Sequence, residues 1–275
     1  MAGTLYVVAT PLGNLGDLSP RAADTLKRVA VVAAEDTRHS KPLLHHAGSH
    51  AELISFHEHS SDRALERIVR ILTDGRDVAL ITDAGTPAIS DPGVALVAVA
   101  RERGIQVVTI PGPNAVAASV SVSGISGDRY LFLGFLPRKG GDRRRFLLNA
   151  ARSEWTVVMF EAPNRVTQLL ADLIEVCGPE RQAAVSRELT KVFEETRAGT
   201  LQELSEHYAE APVRGEVTVV LSGTGKEHVE EPPPDPGERA KALLAEGLSR
   251  KDVAHRLAEE TGISRNTAYR LVSEL

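Results

Sequence analysis

The chain has 275 residues, 42% of them apolar, which is enough for two α/β lobes with ordinary cores. A formal net charge of −5 argues against a protein that coats nucleic acid non-specifically, so an RNA-directed function would need a local basic patch. One cysteine, Cys177, excludes a disulfide framework and suits a reducing cytoplasm, and no apolar run of about 18 residues or leader-like start precedes the first strand, so neither secretion nor a membrane span is expected.

In chain order, apolar runs repeatedly end in rigid polar turns that open helical patterns. Leu5 to Ala9 runs into Thr10, Pro11, Leu12, Gly13, Asn14, Leu15, Gly16 and Asp17, and Val29 to Ala34 runs into Glu35, Asp36, Thr37 and Arg38. Val78 to Thr82 reads as a buried strand and meets the most informative stretch, Asp83 to Gly93, which holds two Gly, two Pro and two Asp. The plain reading of that stretch is a strand-turn-helix connection in which Ser90 or Asp91 caps a helix over Val94 to Arg103. Val107 to Ile110 runs into Pro111, Gly112, Pro113, Asn114 and Ala115, and Val157 to Phe160 into Glu161, Ala162, Pro163, Asn164 and Arg165. Five such turns point to a crevice walled by strand ends, where open α/β sheets place ligands.

Amphipathic patterns predict helices at Ala22 to Arg28 and Arg63 to Thr73, and further strands are expected at Tyr130 to Phe135, Ala183 to Ser186 and Glu216 to Leu221. These divide the chain into an α/β lobe over 1–112, a second over 113–228, a Pro-rich spacer over 229–237 and an all-helical module over 238–275. In that module Ser249 and Ser264 are placed to cap two helices around a turn at Thr261, Gly262 and Ile263, with Ile263 buried, as in a helix-turn-helix. Arg265, Asn266, Thr267 and Arg270 would lie on its second helix. Seven Lys/Arg against six Asp/Glu is a weak basic balance, which favours a module docking on RNA or a partner copy over a DNA reader.

The basic patch is upstream. Pro137 to Arg145 carries five cations, Arg138, Lys139, Arg143, Arg144 and Arg145, against one acid. A charge run of this kind is commonly a solvated surface; its two glycines also suit a mobile loop that meets a phosphate backbone. Six of nine histidines fall between His39 and His59, without a zinc spacing, and His57 and His59 would share a strand face that could touch RNA. No dinucleotide-type glycine fingerprint occurs, and Gly225-Lys226 has Val220 and Glu227 where a phosphate loop needs Gly and Ser/Thr.

The ordered motifs after the apolar runs, together with Arg187-Glu188-Leu189-Thr190-Lys191, resemble the tetrapyrrole (corrin/porphyrin) methylase superfamily. Within it the chain is similar to the ribosomal RNA small subunit methyltransferase I family, over Leu5 to about Leu221. The resemblance implies two α/β lobes with a cofactor cleft between them, and S-adenosyl-L-methionine as cofactor without metal. It further implies a homodimer, and 2′-O-methylation of a cytidine ribose in the decoding region of 16S rRNA, in the free RNA or the small ribosomal subunit. Carried onto this sequence, the cofactor residues would be Pro11, Leu12, Gly13, Asp83, Thr86 and Ile89 from the first lobe, with Asn114, Ala115, Phe160 and Glu161 from the switch and second lobe. A ribose hydroxyl is a weak acid, so a carboxylate base gains from a nearby cation. Glu35, Asp36 and Arg38 from the first lobe, and Arg187, Glu188 and Lys191 from the second, supply such groups; the plain alternative for each set is a structural ion pair. A tetrapyrrole-type methylase shares the expected fold, and a DNA-binding regulator would rest on the tail alone.

Overall fold

The computed structural model describes residues 2–57, 60, 62–210, 213–225 and 235–275. His59, Lys226, Glu227 and the expected spacer up to residue 234 lie outside the described residues. By its internal contacts the chain forms two units, residues 1–118 with 188–195, and residues 119–187 with 196–275.

In the first unit strands and helices alternate: β1 (Thr4–Val8), α1 (Pro20–Arg28), β2 (Val31–Ala34), α2 (Thr37–His46), β3 (Glu52–Ser55), α3 (Asp62–Thr73), β4 (Val78–Ile81), α4 (Val94–Glu102) and β5 (Gln106–Ile110), with α5 (Ala115–Val122) following. The strands form one parallel sheet in the order β3-β2-β4-β1-β5. Successive side chains leave a strand on opposite faces, and both faces here are covered. Val31, Ala33, Val78 and Leu80 join one core with Ile68, Leu72 and Leu96, while Val32, Ala34, Ala79 and Ile81 join another with Leu26 and Leu43. That double burial explains the unbroken apolar runs. Ser19 caps α1, with Pro20 at its first position. The strand expected to carry His57 stops earlier: β3 ends at Ser55, Phe56 turns into the core, and the His57 N–H donates to Ser60 Oγ at 2.8 Å.

The second unit holds β6 (Tyr130–Phe135), α6 (Gly141–Arg152), β7 (Thr156–Glu161), α7 (Val166–Cys177), β8 (Gln182–Arg187), β9 (Glu195–Thr200), α8 (Leu201–Ala209) and β10 (Val217–Leu221). Its sheet order is β6-β7-β10-β8-β9; β6 runs parallel to β7, and β10 runs antiparallel to both β7 and β8. Thr200 and Glu203 close a capping box at the start of α8. The tail forms α9 (Pro236–Ala245), α10 (Arg250–Thr261) and α11 (Arg265–Ser273) around Leu243, Val253, Leu257 and Val272. Ser249 and Ser264 cap α10 and α11, and left-handed Gly262 ends α10. Ile263 is half-buried rather than buried, and the module begins at the Asp235 cap of α9 rather than at residue 238. Burial pushes the Cys177 thiol above its ordinary value.

One sequence expectation is overturned here. Arg143 to Arg145 do not sit on a mobile loop but in the first turns of α6, and Arg143 points inward, its side chain 9% exposed. Its Nε donates to Asp172 Oδ2 at 2.8 Å and its Nη1 to the Pro137 carbonyl at 3.1 Å, with Glu161 Oε2 at 3.6 Å. Arg143 therefore balances buried carboxylates and is not available to phosphate. Removing one partner of such a buried pair leaves an uncompensated charge. Arg143→Ala is expected to lower unfolding free energy by about 3–5 kcal/mol in denaturant melts; a loss below about 1 kcal/mol, the size seen for exposed pairs, would contradict this role.

Candidate active site

At the carboxyl ends of β1, β4 and β5 three turns are tied together. Thr10 N donates to the Gly85 carbonyl at 2.8 Å, and Gly85 N returns a bond to the Thr10 carbonyl at 3.1 Å. Thr10 Oγ1 also donates to the Thr82 carbonyl, and Thr86 Oγ1 reaches the Pro113 carbonyl, both at 3.1 Å. Gly85 has φ +85°, and a Cβ there would meet Leu12 Cδ2 at 3.3 Å, so the turn needs a glycine for its backbone and for contact with Leu12. Pro11, Leu12, Gly13, Asp83, Thr86, Ile89, Asn114 and Ala115 thus lie on neighbouring turns of one unit. Asn114 spends its side-chain oxygen on the N-terminus of α5, accepting from Val116 N at 3.0 Å.

Around these turns the carboxylates differ in what they hold. Glu35 Oε2 accepts from Thr82 Oγ1 at 2.7 Å, and Asp83 Oδ1 accepts from Asp36 N at 3.2 Å while its Oδ2 lies 3.4 Å from His39 Nδ1. Asp36 caps α2 through Arg38 N at 2.8 Å and grips the Arg38 guanidinium at 2.9 Å. The hydrogen bonds from Arg38 hold the Asp36 carboxyl well below its usual range, and Arg38 is raised in turn. Asp36 and Arg38 thus make an ion pair at the start of α2, the plain alternative for this set.

The segment Glu188–Glu195 between β8 and β9 belongs by its contacts to the first unit, not to the second lobe where the sequence reading placed its chemistry. Lys191 Nζ lies 2.9 Å from Glu188 Oε1. The methylenes of Lys191 cover Gly13 so closely that any Cβ there would collide with them. Two groups of candidates that the sequence assigned to different lobes therefore meet, the Gly13 turn and the Glu188–Lys191 pair. Arg187, the last residue of β8, belongs to the second unit.

Four non-glycine residues have left-handed backbone among the described residues: Ala88 (φ 68°), Ser90 (φ 61°), Glu188 (φ 52°) and Thr190 (φ 65°). All four sit on the Asp83–Gly93 turn or the Glu188–Glu195 segment. The large apolar side chains that the first unit leaves exposed, among the described residues, are Leu15, Ile89, Val94, Val192 and Phe193: Ile89 lies on the Asp83–Gly93 turn with Val94 just after it, Val192 and Phe193 lie on the Glu188–Glu195 segment, and Leu15 lies on the turn after β1. Phe193 is 73% exposed. The sequence reading missed Val192 and Phe193; two large apolar residues directly after the charged Arg187–Lys191 run were the available signal.

In the second unit Phe160 packs edge-on against Phe132, ring centroids 4.9 Å apart, and lies 5.4 Å from Phe135. Glu161, expected to contact cofactor, is instead fully buried: it accepts from Ala162 N at 2.8 Å and pairs with Arg165 and Arg143. Its carboxylate fixes the turn after β7. Among the cations of the basic run, Arg138, Lys139, Arg144 and Arg145 are exposed. Among the described residues no group of three or more His, Cys, Asp and Glu side chains is placed to hold a metal ion, and no helix is long and apolar enough to cross a membrane.

Residues 4–205 match the family model for Tetrapyrrole (Corrin/Porphyrin) Methylases. A protein of Xylella fastidiosa named ribosomal RNA small subunit methyltransferase I is 44% identical over 269 residues, covering 97% of this chain and 98% of its own. The Pseudomonas aeruginosa protein of the same name is 45% identical over 270 residues, covering 98% and 96%. In structure the chain is similar to uroporphyrin-III C-methyltransferase from Thermus thermophilus complexed with S-adenyl homocysteine, with a TM-score of 0.58 and 19% identity over 82% of this chain and 97% of that one, a likeness of fold. The parallel sheet with its tied turns, the mixed second sheet and near-full-length identity above 40% agree: this chain belongs to the tetrapyrrole methylase family, and within it to the ribosomal RNA small subunit methyltransferase I group.

Proposed function

We propose that this chain transfers a methyl group from S-adenosylmethionine to small-subunit ribosomal RNA, and that the acceptor is the 2′-hydroxyl of a cytidine ribose in the decoding region of 16S rRNA. One observation supports this beyond family membership: the left-handed non-glycine residues lie on the Asp83–Gly93 turn and the Glu188–Glu195 segment, where Ile89, Val192 and Phe193 are exposed. Residues held in unfavourable backbone regions cluster at functional sites because surrounding structure must enforce them. The turns suit the cofactor's chemistry. Leu12 and Ile89 offer apolar contact, half-exposed Asp83 offers a carboxylate to hydroxyl or amino groups, and buried Thr190 Oγ1 has no hydrogen-bond partner among the described residues.

The cofactor supplies an activated methyl on sulfur, so the chain's own work is alignment and proton handling. In this reading Pro11 to Gly13, Asp83 to Ile89 and Asn114-Ala115 hold the cofactor. With the cofactor bound, Glu188 would take the ribose hydroxyl proton as the methyl carbon exchanges its bond to sulfur for one to the ribose oxygen, leaving a neutral thioether. The Lys191 ammonium stabilises the negative charge developing on that oxygen, and the methylenes that bear it are seated on Gly13. Exposed Arg138, Lys139, Arg144 and Arg145 contact RNA phosphates. The chain works as a homodimer: β6 is an edge strand that exposes Tyr130, Leu131 and Phe135, an apolar edge that a second copy would cover.

Small subunits from cells lacking the gene, incubated with the protein and labelled cofactor, should gain one methyl on a cytidine ribose by nucleoside mass spectrometry. A methyl on a base, or on a tetrapyrrole and not on RNA, would refute the assignment. Glu188→Gln should slow single-turnover methylation by about 10²-fold or more while cofactor affinity holds, and Gly13→Ala should slow it too by displacing Lys191. If both variants only lower the melting temperature and turnover per folded molecule survives, the pair is structural. Sedimentation should give two chains per particle, and Phe135→Glu should yield monomers; a wild-type monomer at micromolar concentration would rule out the pairing.

A further inference from the structure

The tail packs against α6 along a single stripe of that helix. Gly262, the left-handed residue that ends α10, stands over it: a Cβ there would lie 3.5 Å from Leu148 Cδ1 and 3.7 Å from Arg145 Cα. One turn of the stripe further on, Arg152 Nη2 donates to the Glu260 carbonyl at 3.2 Å. Residues 145, 148 and 152 share one helical face. Arg143, Leu147 and Ala150, buried on another face, hold α6 to its own unit. The tail is thus seated on the helix that carries the basic run.

This seating places two groups of cations on packed elements, one at the start of α6 and one at the start of α11. Arg138 and Lys139 immediately precede α6, are exposed, and make no side-chain hydrogen bond or ion pair among the described residues. Arg265 opens α11 three residues after Gly262, so its backbone lies within roughly 10 Å of that contact with Arg145. Its guanidinium meets only the His255 ring, at 3.2 Å, and no carboxylate among the described residues. Two described acids, on α6 and α10, are already matched. Asp142 pairs with Arg145 at 3.0 Å, and Glu260 is held by Arg239 at 2.7 Å and Arg256 at 3.0 Å, hydrogen bonds that lower its carboxyl below the ordinary range. Arg144 has only a loose contact with Glu175, at 3.8 Å between exposed side chains.

We propose that the start of α11 and the Arg138–Arg145 segment form one continuous phosphate-binding surface, on which the tail is a fixed half of an RNA clamp. The inference rests on the reading that the substrate is ribosomal RNA, and it gives the helix-turn-helix a task in that reaction. Docked cations act together on one backbone because their spacing is set by packing. The chemistry recognised is the RNA phosphate chain, since among the described residues α11 adds one exposed aromatic, Tyr269, and the Arg138–Arg145 segment none.

The test is equilibrium binding of full-length protein to small ribosomal subunits across a salt series, which requires no turnover. Each lost phosphate contact should reduce the log–log slope by about 0.7–0.9. Arg265→Ala should therefore cost about one such step, and Arg138→Ala with Lys139→Ala about two. The triple variant should lose roughly 2–3 units of slope with an unchanged melting temperature. If the Arg138/Lys139 variant changes the slope and Arg265→Ala does not, the tail is no part of the surface and the proposal fails. It fails equally if wild type binds duplex DNA more tightly than the subunit through Arg265. A methyl found elsewhere than on a ribose would overturn the proposed reaction but leave these slopes, and the surface, in place.

Discussion

The two backbone hydrogen bonds exchanged by Thr10 and Gly85 are the constraint on which the first unit's site depends. β1 and β4 are neighbours in a parallel sheet buried on both faces, so their polar turns can emerge only at the strand ends. The reciprocal bonds extend the pairing of these strands into the turns themselves. Thr86 then ties the second turn to the third through the Pro113 carbonyl. The turn after β1, the long turn after β4 and the turn after β5 become one rigid rim. A Cβ at position 85 would crowd Leu12 and an L side chain would oppose φ +85°, so a single methyl group there would strain the rim at its centre.

Rigidity of the rim makes the strained residues tolerable. Left-handed backbone costs a non-glycine residue roughly 1–2 kcal/mol, and the Glu188–Glu195 segment holds two such residues in close succession. Its own bonds hold it: Lys191 N to the Glu188 carbonyl at 3.0 Å, Glu194 N to the Lys191 carbonyl at 3.1 Å, and Thr190 N to Glu194 Oε2 at 2.6 Å. The Lys191 methylenes then rest on Gly13. The orientation of the Glu188–Lys191 pair is therefore set by backbone geometry and contact with the rim, not by the flexible stems of its two side chains. Methyl transfer rewards such alignment, because displacement of a reacting atom by about an ångström can cost on the order of 10²-fold in rate.

What could be read from the sequence divides along physical lines. Buried strands and several helices were legible, because apolar runs and caps are local signals: α1, α3, α4, α10 and α11 begin and end within two residues of expectation, although α4 starts after Gly93 with no side-chain cap where Ser90 or Asp91 was expected. Helix α2 was not delimited, since Pro42 stands inside it and its histidines disguise the apolar face made by Leu43 and Leu44. Strand β9 was missed because Glu195–Thr200 carries no apolar run; its place is fixed by β8 beside it. For α8 the signal was present in the Thr200 and Glu203 capping box. Side-chain direction was the harder matter. Arg143, Arg144 and Arg145 are adjacent identical residues, and only the 100° step of the helix sends the first into a carboxylate pocket and leaves the others in water. The unit to which Glu188 and Lys191 belong was also beyond local patterns, because a chain segment that leaves one sheet to pack with another unit leaves no periodic trace.

The charge distribution bears on how such a protein selects a large polyanion. With a net charge of −5, long-range attraction to RNA is weak, so random encounters with any phosphate backbone are not strongly retained. Some of the ionic groups are matched internally, as Arg143 is with Asp172 and Arg239 with Glu260. The cations proposed to meet RNA are few and held at positions set by packing. Few phosphate contacts mean modest affinity and a shallow salt dependence for any one stretch of backbone. Discrimination must then come from the fit between fixed cations and the shape of the folded RNA, since phosphates fix register and carry no sequence information. Reliance on shape rather than on summed charge is how a chain of acidic balance can act on RNA without being held by RNA at large.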